Sequence, residues 1–267
     1  MKKVVLVTGA SSGIGKKVSE YLSEQGFIVY GTSRNPKNTE SLTFELIPLD
    51  VTDSNLITKA VNYVVEMEGQ LDILINNAGK GITGPIEELS MEEIKANFDT
   101  NFFGLINITQ AVLPQMRKQK KGLIINISSI AGYLGLPYRG IYSASKSAVC
   151  MLTEALSTEV KQFGINIVDV APGDFVTNIA NGRFHAPVLD NSAYKNDYSK
   201  VLKQMNDEVD TGLETIVIAK AIYRIIKKKN PKLHYKIGKP MQKFSIVLKR
   251  ILPDRIYEKL IMNHYKL

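Results

Sequence analysis

The chain has 267 residues, of which 44% are hydrophobic and 22% are charged, so it carries enough apolar surface for a substantial core and is not a disordered chain. Its single cysteine, Cys150, excludes a disulfide framework and a cysteine-based zinc site. The net charge of +8 arises in residues 227–267, whereas residues 1–226 are slightly acidic and show no nucleic-acid-binding module, so we expect no nucleic-acid partner.

Short apolar runs alternate with amphipathic stretches along the chain. Strands are predicted at residues 4–8, 27–32, 44–49, 71–76, 123–128, 165–171 and 233–237, and helices at 13–25, 54–67, 91–118, 141–163 and 213–229. Because the apolar runs alternate little with polar residues, these strands are expected to be buried on both faces. The repeating order predicts an α/β fold: a doubly wound, mostly parallel seven-stranded sheet of Rossmann type, flanked by helices.

The spacing of these elements also predicts the domain organisation. No linker or repeat divides residues 1–238, which we interpret as one domain, and residues 239–267 form a basic amphipathic C-terminal extension. Residues 173–212 follow the carboxyl end of a strand, where open α/β sheets bind ligands, and contain a single predicted helix near 192–207. We interpret this segment as a substrate lid, and an inert surface insertion is the alternative.

All the apolar runs are short. The run after the N-terminal lysines covers only residues 4–7, too few for the hydrophobic region of a signal peptide. None of the others reaches the roughly 18 to 20 residues that a membrane-spanning helix needs. We therefore expect a cytoplasmic protein.

A glycine-rich turn lies between the first strand and the first helix. Glycines permit a tight bend, and a helix N-terminus offers free N–H groups to a phosphate, so this turn is typical of a dinucleotide site. It is not a nucleotide-triphosphate loop, because Lys17 stands where Ser or Thr would hold magnesium. The expected cofactor contacts here are Gly9, Ser11, Ser12, Gly13, Ile14 and Gly15.

The end of the second strand indicates which dinucleotide binds. An acidic residue there would bind the ribose 2′-hydroxyl of NAD(H), whereas an arginine accommodates the 2′-phosphate of NADP(H). The chain has Ser33 and Arg34 there, so NADP(H) is the preferred cofactor and NAD(H) is the alternative. Arg34 could also be simply an exposed turn residue. Asp50 and Val51, after the third strand, are expected on the adenine side, or Asp50 begins a turn with Thr52.

Tyr142 and Lys146 are four residues apart, which places both side chains on one face of a helix. A phenol is a poor base at neutral pH, but an adjacent ammonium stabilises the phenolate and makes the hydroxyl a competent proton donor or acceptor. Such a pair arises often by chance, so its meaning depends on the motifs around it.

Five motifs occur in order: Thr8-Gly-x-x-x-Gly-x-Gly15, Asn76-Asn77-Ala78-Gly79, Asn101 within a helix, Ser129 with Tyr142-x-x-x-Lys146, and Pro172-Gly173 followed by Thr177. In these motifs the chain resembles the single-domain branch of the short-chain dehydrogenase/reductase family, over residues 4–177. The resemblance implies an oxidoreductase that acts on CH–OH and C=O groups, in class EC 1.1.1.-.

The resemblance also implies a role for each matching residue. Tyr142 would be the general acid/base, and Lys146 would lower its pKa and hold the nicotinamide ribose. Ser129 would polarise the substrate carbonyl, with Ser128 as the neighbouring alternative, and Asn101 would anchor a water that extends the proton relay. Asn77, Ala78 and Gly79 would contact the adenosine ribose, or form a purely structural turn, and Pro172, Gly173 and Thr177 would contact the nicotinamide carboxamide.

No metal site is expected, because His185, His234 and His264 are widely separated and lack metal-ligand spacing.

Beyond Gly238 the family pattern ends. Apolar residues at helical spacing, interrupted by Pro253, then predict two short amphipathic helices, the second capped by Asp254. Their apolar stripe, Met241, Phe244, Leu248 and Ile251, is expected to pack on the body beside the substrate cleft or to rest on an anionic membrane.

This tail is similar to those of hydroxysteroid and retinol-type members of the family, which implies a lipophilic substrate. We therefore expect an NADP(H)-dependent oxidoreductase that transfers a hydride to or from a steroid-, retinoid- or acyl-like ketone, aldehyde or secondary alcohol. The alternative is a non-catalytic NADP(H)-binding sensor or scaffold. The resemblance also implies a homodimer through the helices near 91–118 and 141–163, and the basic tail puts a tetramer in doubt.

Overall fold

The computed structural model describes residues 2–36, 42–176 and 182–267 and is built on a seven-stranded sheet. Its strands are β1 (Val4–Val7), β2 (Ile28–Ser33), β3 (Glu45–Pro48), β4 (Ile73–Asn76), β6 (Gly122–Ile127), β7 (Ile165–Pro172) and β9 (His234–Ile237). They are ordered β3-β2-β1-β4-β6-β7-β9, and the neighbouring pairs are parallel. The predicted doubly wound parallel sheet is confirmed.

Helices cover both faces of this sheet. They are α1 (Gly13–Glu24), α2 (Ser54–Glu68), α3 (Met91–Phe98), α4 (Gly104–Gln119), α5 (Gly140–Glu159), α6 (Lys195–Asp210), α7 (Thr215–Ile226), α8 (Pro240–Ile251) and α9 (Asp254–Tyr265). Val5 and Val7 pack in the core that contains α1 and α7, whereas Val4 and Leu6 pack with α2 and α4. All four strand residues are fully buried, which explains why the apolar runs show no polar alternation.

The predicted helix at residues 91–118 is interrupted. Between α3 and α4 the residues Asp99–Phe103 form a π-helical segment. Asn101 lies inside it and is hydrogen-bonded to the backbone of Lys80 in both directions. Hydrophobic periodicity cannot reveal such a segment, because one widened turn hardly disturbs the apolar face.

The segment predicted as a lid is described at residues 173–176 and 182–212. Its strand β8 (Phe184–His185) pairs in parallel with the short strand β5 (Ile82–Thr83). Helix α6 follows, close to the helix predicted near 192–207. Phe175 forms an isolated bridge with Leu213, so both ends of the segment are held together at the sheet.

The C-terminal extension consists of α8 and α9, separated at Pro253 as predicted. Asp254 is the first residue of α9 and makes no side-chain cap, so the expected cap is wrong: Pro253 occupies the capping position. Ile246 and Tyr257 are buried against the segment after β6, and Tyr265 packs on α6. Within the described residues, no helix has the length and apolar character to cross a membrane.

The predicted apolar stripe of the tail is only partly buried. Leu248 packs on the body, but Met241, Phe244 and Ile251 are exposed, the last by 67%. Ile246 takes the buried position instead. The expected packing on the body is therefore confirmed for Leu248 but not for Phe244 and Ile251, because α8 carries apolar residues around much of its circumference and the sequence does not show which side meets the body.

Candidate active site

A cavity of about 1140 Å³ opens at the carboxyl ends of the sheet. It is lined by the glycine-rich turn, the ends of β2, β4, β6 and β7, the start of α5, and both tail helices. The sheet changes winding direction between β1 and β4, and ligands of open α/β sheets bind at such a switch point. This volume exceeds the roughly 300–1,000 Å³ that is typical of a single-ligand pocket, which leaves room for a dinucleotide beside a substrate.

The glycine turn is held tightly against the end of β4. Gly9 and Gly13 have left-handed φ values of 67° and 55°, which glycine adopts without strain. A Cβ on Gly15 would lie 2.3 Å from the carbonyl oxygen of Gly9, so this position admits only glycine. Thr8 Oγ1 accepts hydrogen bonds from the backbone N–H groups of Asn77 and Ala78, both at 2.9 Å.

This turn leaves the N-terminus of α1 open to an anion. The capping residue Ser12 makes no side-chain hydrogen bond to the helix, and the first turn contains no acidic residue. The N–H groups and the positive end of the helix dipole therefore face the cavity, as pyrophosphate binding requires. Gly9, Ser11, Ser12, Gly13 and Ile14 line the cavity, whereas Gly15 does not and serves the close packing of the turn.

The adenosine end of the cavity lies at the ends of β2 and β3. Ser33 and Arg34 line it, Arg34 is exposed, and the described residues offer it no carboxylate within 4.0 Å. Asp50 also lines the cavity, but its Oδ1 accepts hydrogen bonds from the N–H and hydroxyl of Thr52 at 2.9 and 2.8 Å. Asp50 thus begins the turn that the sequence left as an alternative, and Val51 is buried beside it.

Tyr142 and Lys146 lie one turn apart on α5, and both line the cavity. Lys146 is almost fully buried, and its Nζ donates to the carbonyl oxygen of Ile127 at 2.9 Å. No described carboxylate pairs with this ammonium, so its positive charge is available to a phenolate or a ligand in the cavity.

Ser129 and Ser128 follow β6, and both line the cavity. Ser129 precedes a short 3-10 helix, Ile130–Tyr133, and its Oγ accepts a hydrogen bond from the N–H of Ala131 at 3.1 Å. Its hydroxyl lies 3.5 Å from the carbonyl oxygen of Pro172, a long contact that leaves the proton free for a stronger acceptor. The Ser129 side chain is therefore fixed as a hydrogen-bond donor at the cavity wall.

Asn101 is buried behind this wall and does not line the cavity. Its Nδ2 lies near three acceptors, which are the carbonyl oxygen of Lys80 at 3.0 Å, Asn97 Oδ1 at 3.2 Å and Ser145 Oγ at 3.2 Å. Its Oδ1 accepts from the N–H of Lys80 at 2.8 Å. A Cβ on Gly79 would lie 3.1 Å from this oxygen and 3.4 Å from Lys146 Nζ. Asn101 thus orders the turn beside Lys146.

Pro172 and Gly173 end β7 and line the cavity, as do Asn77, Ala78 and Gly79 at the end of β4. A Cβ on Gly173 would lie 2.1 Å from Gln242 Oε1 of the tail, so the tail approaches this strand end closely. The Gln242 amide also donates to the Asp174 carboxylate. Burial raises the pKa of Asp174. Thr177 lies outside the described residues.

Comparison with known proteins decides the family. A family model described as short chain dehydrogenase matches residues 3–187. The chain belongs to the short-chain dehydrogenase family. The dehydrogenase is therefore an oxidoreductase that acts on CH–OH and C=O groups, as its motifs implied.

Three individual proteins resemble the dehydrogenase over nearly their whole length. It is 42% identical to a 3-ketodihydrosphingosine reductase of Bacteroides thetaiotaomicron, over 98% of each chain. It is 30% identical to an NADPH-dependent 3-dehydrocapnine reductase of Ornithobacterium rhinotracheale, over 99% of this chain and 98% of the relative. The crystal structure of a short-chain dehydrogenase from Streptomyces avermitilis is 30% identical and superposes with a TM-score of 0.84, covering all of this chain and 96% of the other.

Two arginines at the cavity of the dehydrogenase were not singled out from the sequence. Arg139 precedes α5, and Arg183 lies at the start of the second described part of the segment predicted as a lid. Neither belongs to a motif, and a lone arginine in a loop is normally a solvated side chain. Of the tail stripe that was expected beside the substrate cleft, Met241 and Leu248 line the cavity, whereas Leu260 and Ile261, which also line it, were not indicated by the sequence.

The remaining reactive side chains of the dehydrogenase have structural partners. Burial raises the pKa of the Cys150 thiol to about 11, so it is not a thiolate nucleophile at neutral pH. His185 lies 2.9 Å from Thr83 Oγ1, and His234 and His264 pair with carboxylates. Within the described ranges no three His, Cys, Asp or Glu side chains form a group that could hold a metal ion.

Proposed function

We propose that the protein is an NADP(H)-dependent dehydrogenase that reduces a ketone on a lipophilic, acyl-like chain, with Tyr142 as its proton donor. One observation carries this proposal: Tyr142, Lys146 and Ser129 line the same cavity as an uncapped helix N-terminus suited to a pyrophosphate. The resemblance of the motifs supports the same roles for these three residues.

In this mechanism the protein positions the substrate and moves one proton. The nicotinamide, when bound, supplies the hydride. Ser129 donates a hydrogen bond to the carbonyl oxygen of the substrate, and Tyr142 donates its phenolic proton to the oxygen that becomes the alkoxide. The buried ammonium of Lys146 stabilises the phenolate that remains. The same groups run the reaction in reverse when Tyr142 begins as the phenolate.

The residues present fit a dinucleotide with a 2′-phosphate. The first turn of α1 has free N–H groups and no acid to repel the pyrophosphate. Arg34 is exposed at the rim with Ser33 beside it, and a guanidinium binds a phosphate with two parallel hydrogen bonds. The name of the Ornithobacterium relative, an NADPH-dependent reductase, supports NADP(H), and NAD(H) is the alternative.

The substrate end of the cavity is largely apolar. It is walled by the segment after β6 and by the tail, through Leu134, Leu136, Met241, Leu248, Leu260 and Ile261. Such a wall favours a hydrocarbon chain over a small polar substrate. The Bacteroides relative is named for a ketone on a long alkyl chain, which favours the acyl-like class among the three lipophilic classes.

The exposed apolar residues of the protein support two interactions. Phe244 and Ile251 lie on the outer face of α8 among lysines and arginines, so we propose that this face contacts an anionic membrane that supplies the substrate.

Phe103, at the entry to α4, and Met151, on α5, are also exposed, which supports a homodimer through these helices. The homodimer is tested by sedimentation: the parent should sediment as a dimer and a Met151→Glu variant as a monomer.

The reductase activity is tested with NADPH and two long-chain ketones, 3-ketodihydrosphingosine with its cationic head and 3-oxopalmitate with its anionic head, and is followed by the loss of NADPH absorbance. Tyr142→Phe should lower kcat by at least 100-fold, because it removes the proton donor. Its affinity for NADPH should stay within about threefold of the parent, because the aromatic ring remains. If the parent binds NADPH but turns over no ketone of any class, a non-catalytic cofactor-binding protein replaces this proposal.

A further inference from the structure

Arg183 is a buried cation at the cavity wall. Its residue is only 8% exposed, and its Nη1 is buried without a hydrogen-bond partner among the described residues. No described carboxylate lies within 4.0 Å of its guanidinium. Burial lowers the pKa of Arg183, yet an arginine stays charged in proteins. An uncompensated buried charge is unfavourable, so this cation calls for a partner from the cavity.

The aliphatic part of the Arg183 side chain packs against Gly81. A Cβ on Gly81 would lie 2.7 Å from Arg183 Cγ and 3.3 Å from its Nε, so the arginine crosses the chain directly at this glycine. Gly81 follows the Gly79–Lys80 turn that contacts Asn101 and approaches Lys146. This packing fixes the guanidinium beside the turn that approaches Lys146.

A second arginine lies beside Tyr142. The guanidinium carbon of Arg139 is 6.0 Å from the centroid of the Tyr142 ring, and its positive charge lowers the pKa of Arg183 further. Both arginines line the cavity. Two like charges at one wall repel each other unless an anion lies between them.

The nearby acidic groups balance the charge of this pair only in part. Asp174 accepts a hydrogen bond from the Gln242 amide, and its single negative charge is shared electrostatically among Arg139, Arg183 and Lys239. Glu208 Oε1 accepts from Gln204 and lies 3.0 Å from His264 Nε2. Lys239 adds a further positive charge near Asp174. The substrate end of the cavity therefore holds an excess of positive charge inside an otherwise apolar wall.

We infer that Arg183, with Arg139, forms a subsite for an anionic group that the substrate carries close to its carbonyl. The ligand would be an amphiphile with a carboxylate, phosphate or sulfonate head at the arginines and an alkyl chain along the tail helices. A guanidinium binds these oxyanions through paired hydrogen bonds, which would satisfy the buried Nη1. This inference rests on the proposed reductase function, because it names the substrate class of the same cavity.

The experiment measures binding to the NADPH-saturated protein, so that the cofactor fills the other phosphate sites. The probes are octyl phosphate, octanoate, 1-octanol and inorganic phosphate, titrated by calorimetry. The parent should bind octyl phosphate and octanoate at least tenfold more tightly than 1-octanol. Inorganic phosphate should bind at least tenfold more weakly than octyl phosphate, because it lacks the chain.

Arg183→Gln should weaken octyl phosphate and octanoate at least tenfold and 1-octanol by less than twofold. Arg224→Gln, an exposed arginine on α7, is the matched control and should change none of them. Removing an unpaired buried charge should leave the melting temperature unchanged or raised, and octyl phosphate should raise that temperature in the parent only. Raising NaCl should weaken octyl phosphate in the parent but not 1-octanol.

The inference is overturned if the parent binds octyl phosphate no more tightly than 1-octanol, or if Arg183→Gln leaves the preference intact. Inorganic phosphate bound as tightly as octyl phosphate would also overturn it, since the site would then serve a free anion. None of the probes is reduced, so these outcomes are independent of turnover. An active ketone reductase without anion preference refutes the subsite alone, whereas anion preference without turnover refutes the reductase.

Discussion

Ser129 and Ser128 are adjacent hydroxyls at the cavity wall, and their local geometry separates their roles. Each hydroxyl makes a long contact of 3.5 Å to a backbone carbonyl oxygen, Ser128 to Val170 and Ser129 to Pro172, but only Ser129 Oγ also accepts the N–H of Ala131, which orients it. We predict that Ser129→Ala lowers kcat by about 100-fold, the usual effect of removing one oxyanion donor. Ser128→Ala is the matched control and should lower it by less than fivefold. Equal losses in the two variants would mean that Ser129 is not the donor.

Arg34 determines the choice between the two dinucleotides. Its guanidinium is exposed beside Ser33, with no described carboxylate to compete for it. Arg34→Gln should weaken NADPH at least tenfold and leave NADH within about twofold, because only the 2′-phosphate loses a partner. Calorimetric titration of both cofactors measures this. Tighter binding of NADH than of NADPH by the parent would contradict the assignment.

Most of the candidate site was predictable because its residues come in motifs of fixed spacing. The glycine turn, Tyr142 and Lys146 all line the cavity that the strand order predicts. Arg183 was not predictable, since its significance comes from burial at the crossing with Gly81, a contact between segments about a hundred residues apart. The hydrogen bonds that fix Asn101 are long-range in the same way.

Among the elements, the tail helix α8 combines a buried side with an exposed apolar side. Ile246 is buried, whereas Phe244, Val247 and Ile251 lie at helical spacing on the exposed face, beside Lys243 and other basic residues. We predict that the parent co-sediments with vesicles of phosphatidylglycerol and phosphatidylcholine but not with phosphatidylcholine alone.

The triple substitution Phe244→Ser, Val247→Ser and Ile251→Ser should reduce this vesicle binding at least tenfold, because it removes the inserted apolar surface. Met67→Ser, at an exposed apolar position on α2, is the control and should bind as the parent does. The membrane proposal fails if the parent ignores anionic vesicles, or if the triple variant still binds them as tightly.

The regular elements were predictable because buried parallel strands leave unbroken apolar runs. All seven strands of the main sheet lie where the pattern indicated. The π-helical segment and the two-residue strands β5 and β8 were not, since each is defined by backbone hydrogen bonds that leave no periodic trace. The side of α8 that is buried depends on tertiary packing, so the sequence could not assign every apolar residue of the predicted stripe to the correct side of the helix.

At the scale of the whole molecule, a charged pair joins the sheet edge to α5. His234 Nδ1 lies 3.1 Å from Asp169 Oδ2, and its Nε2 lies 3.0 Å from Glu154 Oε1. Tyr133 donates to the same Asp169 oxygen at 2.7 Å. The hydrogen bond to Asp169 raises the pKa of His234. A raised pKa in the folded state means that protonated His234 stabilises the fold.

This stabilisation should be complete below the unfolded-state pKa of about 6.5 and should be lost as the pH rises through the higher folded-state pKa. His234→Gln should therefore lower the free energy of unfolding by about 1 kcal/mol at pH 6 and by less at pH 9. Urea unfolding at both pH values measures the difference. The control, His264→Gln, affects an exposed pair and should change little. A pH-independent effect of His234→Gln would refute this account.

The central claim is that one cavity brings a nicotinamide, a ketone and Tyr142 together. The most direct measurement is deuterium transfer from 4,4-dideuterated NADPH to 3-oxopalmitate, a long-chain ketone with an anionic head, read by mass spectrometry of the alcohol. The parent should place one deuterium on the carbinol carbon, and Tyr142→Phe should bind the cofactor yet form product at least 100-fold more slowly. Product without deuterium, or transfer by Tyr142→Phe at the rate of the parent, would contradict the claim.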